Sequence, residues 1–446
     1  MELTNKLFKG DRVIWFVLMI FCFISIVEVF SAASTLTFKT DNYWGPISRH
    51  VLIMMGGVMI AIGLCHVPFK WYRVVPYGLL PLSIILLIAV FVFGRSTNDA
   101  SRWLNIFGFQ FQPSELAKLA VVTAVALILS NNQDEKGTNP KAFKAILWVT
   151  GITCVFIISE NLSTALLLAF VVFLMMIVGR IPGRQMARLI AFALLAGITA
   201  VGLLVVTPAE TLEKAGPLSR AVTWQSRIKS FFIVKENVPP EKYDINENYQ
   251  RAHANIAIAT SNVVGKMPGN SVQRDSLAQA FSDFIFAIII EELGLAGGAF
   301  VVLLYIIILV RAGSIARKCD SSFAAFLVMG LALMMVVQAI VNMMVAVDII
   351  PITGQPLPLI SRGGTAQLIN CAYIGIILSV SRYANQKEEE RAAEDEKVAG
   401  SKLLASISQE PEAQPAAVEK GDAQEDVAAL EALKAVQEVE PNNEKP

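Results

Sequence analysis

Residues 284–310 read FIFAIIIEELGLAGGAFVVLLYIIILV, and Glu291 and Glu292 are the only charged side chains in this run. A helix that crosses the hydrocarbon core of a bilayer needs about 20 mostly apolar residues, so the run predicts a transmembrane helix. The whole chain of 446 residues has the same character, because 54% of it is hydrophobic and only 17% is charged. Soluble domains are about a quarter charged. The composition therefore argues against a soluble, disordered or fibrous chain and predicts an integral membrane protein.

Further apolar runs along the chain give the number of spans. The stretch 145–179 is too long for one helix and is interrupted by Ser159-Glu160-Asn161, so it predicts two helices. The predicted fold class is an all-α polytopic membrane protein with ten transmembrane helices. The predicted spans are 14–33, 51–66, 75–94, 115–130, 145–159, 163–179, 187–206, 284–310, 322–347 and 364–381.

The distribution of lysine and arginine predicts the orientation. Cytoplasmic loops carry an excess of these residues, and the loops after spans 2, 4, 6 and 8 hold more of them than the short loops between. Both termini are therefore predicted to be cytoplasmic, with a large extracytoplasmic loop, 207–283, between spans 7 and 8. Residues 1–383 form the predicted ten-span membrane domain. Residues 384–446 hold 16 Asp/Glu against 7 Lys/Arg and predict a disordered acidic cytoplasmic tail.

Ionisable groups within a membrane domain are energetically costly and usually mark a function. Here they gather on the predicted outer side. Arg102 and Glu115, the latter at the start of span 4, are candidates for an ion pair that frames a cavity. An interfacial anchor for Arg102 and a favourable helix N-terminus for Glu115 are the structural alternatives. Glu160, between two apolar helices, is a further candidate for substrate binding.

Asp283 is the candidate catalytic residue. It stands where the polar loop meets span 8 and is followed by unbroken apolar sequence. Desolvation of such a carboxyl raises its pKa toward the range of a general base. A helix N-cap is the structural alternative. Glu291 lies about two helical turns further on and on the same side; it is a candidate either for substrate binding or for structural pairing with Arg102 or backbone donors.

The segment PITGQPLPLISRGGT at 351–365 contains three prolines and predicts a re-entrant loop that leads into a helix N-terminus. Bare backbone N–H groups at such a terminus bind anions, and a neighbouring arginine adds a positive charge. Ser361, Arg362, Gly363 and Gly364 are therefore candidates for binding a phosphate or pyrophosphate. The alternative for the two glycines is close helix packing.

Several of these stretches together resemble one known family. They are Arg102-Trp103 with QPSE at 112–115, SDFIFA at 282–287 with EELG at 291–294, and the 351–364 loop. Lys266 and Gln273 in the outer loop fit the same pattern. The chain is similar to SEDS proteins (shape, elongation, division and sporulation) of the RodA/FtsW type over about residues 12–383. It departs from the family in having Glu160-Asn161 where many members have Pro-Asp.

The resemblance implies a peptidoglycan glycosyltransferase that polymerises lipid II into glycan strands. Asp283 would deprotonate the GlcNAc 4-hydroxyl of lipid II, which attacks a glycan on undecaprenyl pyrophosphate. Arg102, Lys266 and Arg362, with a divalent cation (Mg or Mn) and no nucleotide, would stabilise the departing pyrophosphate. The implied partner is a class B penicillin-binding protein transpeptidase, with other division proteins and no nucleic acid.

The resemblance also implies a location in the bacterial inner membrane. The sequence Gln-Pro-Leu-Pro at 355–358 and the long acidic tail resemble the FtsW division branch and favour septal cell-wall synthesis. Three alternatives stay open: a RodA-type elongation polymerase, a lipid II flippase, and a division scaffold without activity. A flippase predicts polar residues through the full depth of the membrane.

Overall fold

A computed structural model describes residues 8–32, 45–93, 95–97, 100–106, 109–134, 137–208, 220–233, 249–277 and 280–408. The chain divides into two compact units, residues 1–389 and 390–446. In the second unit, residues 390–408 are described and are helical. The first unit contains the helical bundle and every candidate site residue.

Twelve α-helices lie in the described part of the chain. They are α1 (Arg12–Ala32), α2 (Gly45–His66), α3 (Val75–Phe93), α4 (Pro113–Asn131), α5 (Pro140–Glu160), α6 (Leu162–Val178), α7 (Gly183–Val206), α8 (Arg220–Ile233), α9 (Tyr249–Ala259), α10 (Ile285–Lys318), α11 (Ser322–Ala346) and α12 (Gly364–Ser408). Two short 3₁₀ helices cover Phe69–Arg73 and Gln273–Asp275.

Five short strands lie in the connections. An antiparallel sheet is formed by β1 (Arg95–Thr97), β2 (Ala100–Ile106) and β3 (Phe109–Phe111), in that order. Leu104 pairs with Phe111 in its second ladder. A separate hairpin is formed by β4 (Gln133–Asp134) and β5 (Gly137–Thr138). The three-stranded sheet contains the position of Arg102 and leads directly into α4.

Each predicted span falls on a helix, which confirms the all-α, multi-pass architecture. Within the described residues, eight helices are long and apolar enough to cross a membrane, and two more, α3 and α6, contain shorter apolar stretches. The exact number of ten spans therefore stays a prediction. The predicted break is present, because α5 ends at Glu160 and α6 begins at Leu162 with the Asn161 side chain accepting a hydrogen bond from the Ser163 N–H, 3.0 Å.

The C-terminal region differs from the prediction of disorder. Helix α12 continues through Ser408, so residues 384–408 are helical. The sequence 384–399 contains neither Gly nor Pro and is rich in Ala, Glu, Lys and Arg, which are strong helix formers. An exposed ion pair joins Lys318 Nζ to Glu388 Oε2, 2.7 Å. Composition favoured disorder, whereas local propensity and continuation of a transmembrane helix favour helix. Residues 409–446, the rest of the predicted tail, lie outside the described residues.

Helix α11 lies at the centre of the bundle, where it packs against α4, α6 and α10. Helix α7 is different, because Met186 is its one buried residue in the described chain, and it contacts α8 of the large loop. An apolar helix exposed on all sides requires lipid around it. These surroundings fit a transmembrane helix at the periphery of the bundle.

The predicted re-entrant loop is confirmed as a buried, non-helical segment. Residues 351–363 contain no regular secondary structure, yet Gln355, Leu357 and Ile360 are 2% exposed or less. Leu359 has a left-handed backbone, φ 64°, a conformation that a non-glycine residue keeps only when its surroundings hold it. The loop therefore returns into the protein before α12 begins.

Helix α10 is interrupted near its start. Gly294 has φ 74° and ψ −177°, and the N–H groups of Leu295 and Ala296 donate to the carbonyls of Asn262 and Val263, both 3.2 Å. Gly265, also left-handed at φ 78°, lies so close that a Cβ would overlap the Gly294 backbone. The outer-loop segment before α10 is thereby docked into the kink.

Candidate active site

Asp283 lies in the turn immediately before α10 and is half-buried. The N-cap residue of α10 is Phe284, whose side chain forms no capping hydrogen bond, so Asp283 is not the N-cap residue. Ser282 Oγ donates to Asp283 Oδ1, 3.1 Å. Asn342 Nδ2 of α11 donates to the Asp283 backbone carbonyl, 3.0 Å. The backbone is thus fixed while the carboxylate stays partly open.

The re-entrant loop is fastened to the same turn. Ser361 Oγ donates to the Ser282 carbonyl, 2.7 Å, and the Arg362 N–H donates to the Phe281 carbonyl, 2.9 Å. Asn342 Nδ2 also donates to the Gln355 carbonyl, 2.8 Å. Two of the predicted site residues are therefore brought next to Asp283, Ser361 by its side-chain hydroxyl and Arg362 by its backbone N–H.

Two arginines supply positive charge near this turn. The guanidinium of Arg362 is half-buried and lies 5.4 Å from the centre of the Phe281 ring. Arg227 of α8 donates from Nη1 to the Ile352 carbonyl, 2.8 Å, and interacts electrostatically with Asp283. Burial lowers the pKa of Arg227, and the negative charge of Asp283 acts in the opposite direction. A carboxylate can accept the proton of a bound hydroxyl, and the two guanidiniums near this turn can bind an anion.

The N-terminus of α12 completes this region. Gly363 and Gly364 are half-buried, and Thr365 Oγ1 accepts a hydrogen bond from the Gln112 N–H, 3.2 Å. A Cβ on Gly364 would lie 3.8 Å from the carbonyl oxygen of Gln110, the middle residue of β3. The small sheet is therefore next to the predicted anion site. Arg102 lies on β2, and its side chain is outside the described residues.

A buried polar network lies beside the loop. Glu115 Oε1 forms an ion pair with Lys118 Nζ, 2.8 Å, and both side chains are at most 2% exposed. Lys118 Nζ donates to Gln338 Oε1, 2.6 Å, and Gln338 Nε2 donates to the Pro356 carbonyl, 3.0 Å. The predicted candidate Glu115 is thus paired with Lys118 and is linked to the re-entrant loop through Gln338.

Glu160 lies on the same side of the bundle, and its residue is 3% exposed. It is the last residue of α5, one turn before Thr164. Thr164 accepts a hydrogen bond from Gln355 Nε2, 2.8 Å. The predicted candidate Glu160 therefore lies near a direct contact between α6 and the loop.

Three predicted site residues form a separate cluster. Glu291 is fully buried and accepts from Lys266 Nζ, 2.7 Å, from the Ser271 hydroxyl, and from the N–H groups of Val272 and Gln273, 3.1 and 3.3 Å. Gln273 Oε1 lies 2.6 Å from Nδ1 of His253. Because these polar groups bind one another, we assign Glu291, Lys266 and Gln273 to the docking of the outer loop rather than to substrate binding.

Glu292 fixes the same outer-loop turn. It is fully buried and accepts from the Gly269 N–H, 3.1 Å, the Ser271 N–H, 3.3 Å, and the Ser31 hydroxyl. Arg274 Nη1 lies 3.9 Å from Glu292 Oε1. The pairing with backbone donors expected for Glu291 is therefore present, and Glu292 is paired in the same way; Lys266 and Arg274 are the nearby cations.

Two contributors were missed by the sequence reasoning. Lys118 carries a readable signal, a lysine inside an apolar span three residues after Glu115, which is the spacing of a helical ion pair. Arg227 carries none, because it lies in a polar loop with many other charged residues. Its contacts with the re-entrant loop depend on how α8 folds back over the bundle.

The predicted divalent cation has no evident protein cage. In the part of the chain that the structure describes, no three His, Cys, Asp or Glu side chains gather closely enough to hold a metal ion. Asp283 is a half-open acidic group beside the loop, whereas Glu115, Glu291 and Glu292 are buried with partners of their own. The residues present do not fit a metal held by the protein alone.

The chain also matches a known protein family. The model of the FtsW/RodA/SpoVE family, described as cell cycle proteins, matches residues 11–386. The chain belongs to this family. The match covers the whole helical bundle and ends close to the point where the predicted tail begins, and it confirms the SEDS resemblance.

Individual relatives agree with the family. The chain is 30% identical over 377 residues to a probable peptidoglycan glycosyltransferase FtsW of Halomonas elongata, covering 82% of this chain and 89% of that protein. It is 26% identical to the FtsW of Bacillus subtilis, covering 88% and 96%. It is 29% identical to the peptidoglycan glycosyltransferase MrdB of Escherichia coli K12, covering 75% and 85%.

Solved structures show the same fold. A chain from a peptidoglycan synthase complex superposes with a TM-score of 0.63 and 25% identity, over 84% of this chain and 99% of that one. The rod shape determining protein RodA of Thermus thermophilus superposes with a TM-score of 0.58 and 23% identity, over 84% and 97%. The helical architecture of the family is therefore present throughout this bundle.

Proposed function

We propose that this protein is an inverting peptidoglycan glycosyltransferase that polymerises lipid II, with Asp283 as the general base. The observation that carries the proposal is the position of Asp283, half-open in a fixed turn, with Arg227 and Arg362 close by. Family membership and relatives named peptidoglycan glycosyltransferase support the reaction class.

In the proposed reaction, Asp283 removes the proton from the GlcNAc 4-hydroxyl of lipid II. The hydroxyl oxygen attacks the anomeric carbon of a glycan on undecaprenyl pyrophosphate and inverts its configuration from α to β. The bond between that carbon and the pyrophosphate oxygen breaks, and the pyrophosphate leaves with the bonding electrons. A positioned base of this kind contributes about 10²–10⁴-fold to the rate.

The departing pyrophosphate needs positive charge. Arg362, Arg227 and the N-terminus of α12 at Gly363 and Gly364 are the groups that we assign to it. Arg102 remains a candidate from the sequence, because β2 lies in the sheet beside that terminus. Lys266 is withdrawn from this role because its ammonium is paired with Glu291.

The distribution of buried charge favours a polymerase over a flippase. Within the helices that the structure describes, buried acidic and lysine side chains lie near the C-terminal ends of α1 and α5 and the N-terminal ends of α4 and α10. These residues are Glu28, Glu160, Glu115, Lys118, Glu291 and Glu292. Successive transmembrane helices alternate in direction, so these ends share one side, whereas the buried Asp11, just before α1 and paired with Arg311, lies on the other side. A flippase requires polar groups along the whole path.

The biological setting follows from the same proposal. The protein would lie in the bacterial inner membrane with both termini in the cytoplasm and act at the septum as an FtsW-type enzyme. Relatives named FtsW and MrdB have similar identities, 26–30% and 29%, so an elongation polymerase remains the second candidate. A class B penicillin-binding protein is the proposed partner, supported by the likeness to a chain of a peptidoglycan synthase complex.

We also propose that any divalent cation acts with the substrate. Mg²⁺ usually binds through one or two carboxylates together with substrate phosphates and water, rather than in an all-protein cage. Titration of Mg²⁺ and Mn²⁺ into chelator-treated protein, with lipid II turnover as the readout, tests this. Unchanged turnover after chelation would contradict the proposal.

The function is tested with the purified full-length protein and fluorescent lipid II, with and without a candidate class B penicillin-binding protein. We expect long glycan strands that a muramidase digests, and none with Asp283→Asn. The same variants reconstituted in vesicles report lipid II movement between leaflets. Normal polymerisation by Asp283→Asn contradicts the base assignment, whereas lipid movement without polymer from the wild type supports the flippase.

A further inference from the structure

Two buried side chains outside the site are connected to the re-entrant loop. Ser25 of α1 is fully buried, and its Oγ lies 2.6 Å from the carbonyl oxygen of Ile360 and 3.0 Å from Nε2 of His50. His50 of α2 is 3% exposed. These contacts link two helices of the bundle to the residue that precedes Ser361 and Arg362.

The direction of these hydrogen bonds follows from their chemistry. A serine hydroxyl has one proton, and a carbonyl oxygen can only accept. Ser25 therefore donates its proton to Ile360, so its oxygen is the acceptor for His50. Nε2 of His50 must carry a hydrogen, and the chain of donation runs from His50 through Ser25 to Ile360.

The point of attachment is where the loop is strained. Leu359 has φ 64°, and its carbonyl accepts from Gln367 Nε2, 3.1 Å. The next carbonyl, that of Ile360, accepts from Ser25. A left-handed leucine persists only when its surroundings hold it. Side chains from α12 and α1 therefore hold the two carbonyls after the strained torsion.

Displacement of this segment would move the cation of the site. Arg362 follows Ile360 by two residues and is fixed by its N–H to the Phe281 carbonyl, two residues before Asp283. Its guanidinium interacts electrostatically with the His50 ring and with Arg49. Arg49 and Arg362 carry the same charge and repel each other, so the loop needs a specific attachment to keep Arg362 in place.

We propose that Ser25 and His50 are positioning residues that hold Arg362 in place to receive a pyrophosphate group. The proposal rests on the proposed function, in which Arg362 binds the leaving group. Neither side chain touches the substrate; both act through the Ile360 carbonyl. The ligand chemistry is that of a diphosphate, supplied by the undecaprenyl pyrophosphate of the donor.

The experiment measures the affinity of the purified full-length protein for inorganic pyrophosphate by calorimetric titration. We expect Ser25→Ala and His50→Leu to weaken it about tenfold, because the carbonyl loses its donor. Ser25→Thr keeps the hydroxyl, and His50→Gln keeps an N–H near the position of Nε2, so both should bind within about twofold of the wild type. Ser83→Ala is the matched control, since Ser83 is fully buried and donates to Leu80 of its own helix, 2.8 Å.

A double-mutant cycle separates positioning from a general loss of stability. In an Arg362→Gln background, Ser25→Ala should change the pyrophosphate affinity less than about twofold, because the cation it positions is gone. An equal weakening in both backgrounds, or an equal effect of Ser83→Ala, overturns the positioning role.

The outcomes distinguish this proposal from the proposed function. If Arg362→Gln weakens pyrophosphate binding and Ser25→Ala does not, the positioning role alone is wrong. If Arg362→Gln binds as the wild type does, the leaving-group assignment and the positioning role are both wrong. Loss of polymerisation in Asp283→Asn still reports separately on the general base.

Discussion

The start of α10 contains two kinds of acidic site within about two helical turns. Asp283, just before the helix, is half-buried and lies in a turn fixed through its backbone. Glu291 and Glu292 are fully buried, and the turn 266–274 surrounds them with donors. Carboxylates therefore occupy two different environments near the start of α10. Asp283 is half-buried, whereas Glu291 and Glu292 are buried among hydrogen-bond donors.

The difference separates chemistry from structure. A carboxylate whose oxygens already accept several hydrogen bonds from backbone and side-chain donors has little lone-pair capacity left for a substrate proton. A half-open carboxylate can accept the proton of a bound alcohol. Changes at Asp283 should therefore alter the rate, and changes around Glu291 and Glu292 should alter stability.

The largest effect is expected for Asp283→Asn. Removal of the general base should lower the rate of lipid II polymerisation by about 10²–10⁴-fold. The thermal unfolding temperature should change little, because the backbone bonds of residue 283 remain. The measurement pairs a polymerisation assay with unfolding in detergent. If Asp283→Asn unfolds at a lower temperature but keeps its polymerisation rate, Asp283 is a structural residue and not the general base.

Two glycine variants test the packing of the outer-loop turn around Glu291 and Glu292. A Cβ at Gly265 would overlap the backbone of Gly294 and Glu292, whereas one at Gly269 meets open space, and both residues are left-handed. Gly265→Ala should lower the free energy of unfolding by about 4 kcal/mol. Gly269→Ala, the matched control, should cost about 1–2 kcal/mol from backbone strain alone. Chemical or thermal unfolding measures both, and equal effects would show that the contact with the kink is unimportant.

Glu292→Gln should lower stability by about 2–3 kcal/mol. The neutral amide weakens the charge-assisted bonds from Ser31, Gly269 and Ser271 and removes one of the two carboxylates near Arg274, which keeps Asp275 at 3.6 Å. Unfolding experiments report the loss, and polymerisation per folded molecule should stay within about threefold. A rate loss as large as that of Asp283→Asn, without destabilisation, would place Glu292 in the chemistry.

The sequence predicted the parts of this comparison that depend on local pattern. Apolar runs indicated where the helices lie, and the prolines at 351–358 indicated the loop that brings Ser361 and Arg362 to Asp283. Helical spacing placed Glu291 on the side of Asp283, but it does not specify which other segment covers that side. Residues 262–274 cover that side by docking into the kink at Gly294. This docking depends on contacts between residues that are distant in the sequence, so local pattern does not predict it.

Arg227 is a candidate site residue that the sequence alone did not predict. No motif marks it, and its role depends on α8 folding back onto the loop. Arg227→Ala should lower kcat/KM for lipid II by about tenfold, about 1.4 kcal/mol, through loss of a cation near the reaction centre. Ser226→Ala, an exposed neighbour on the same helix, is the control. Equal kinetics of the two variants would show that Arg227 does not contribute to the site around Asp283.

The smallest effect is expected for Lys266→Met. Its side chain is 31% exposed and its ammonium pairs with Glu291, which still accepts from Ser271, Val272 and Gln273 after the lysine is removed. A partly exposed ion pair contributes about 1 kcal/mol or less, and polymerisation should change less than about twofold. Unfolding and lipid II turnover measured on the same preparation decide the matter. A tenfold loss of turnover at unchanged stability would mean that Lys266 leaves Glu291 to bind the substrate, and the two acidic sites would then form one functional region.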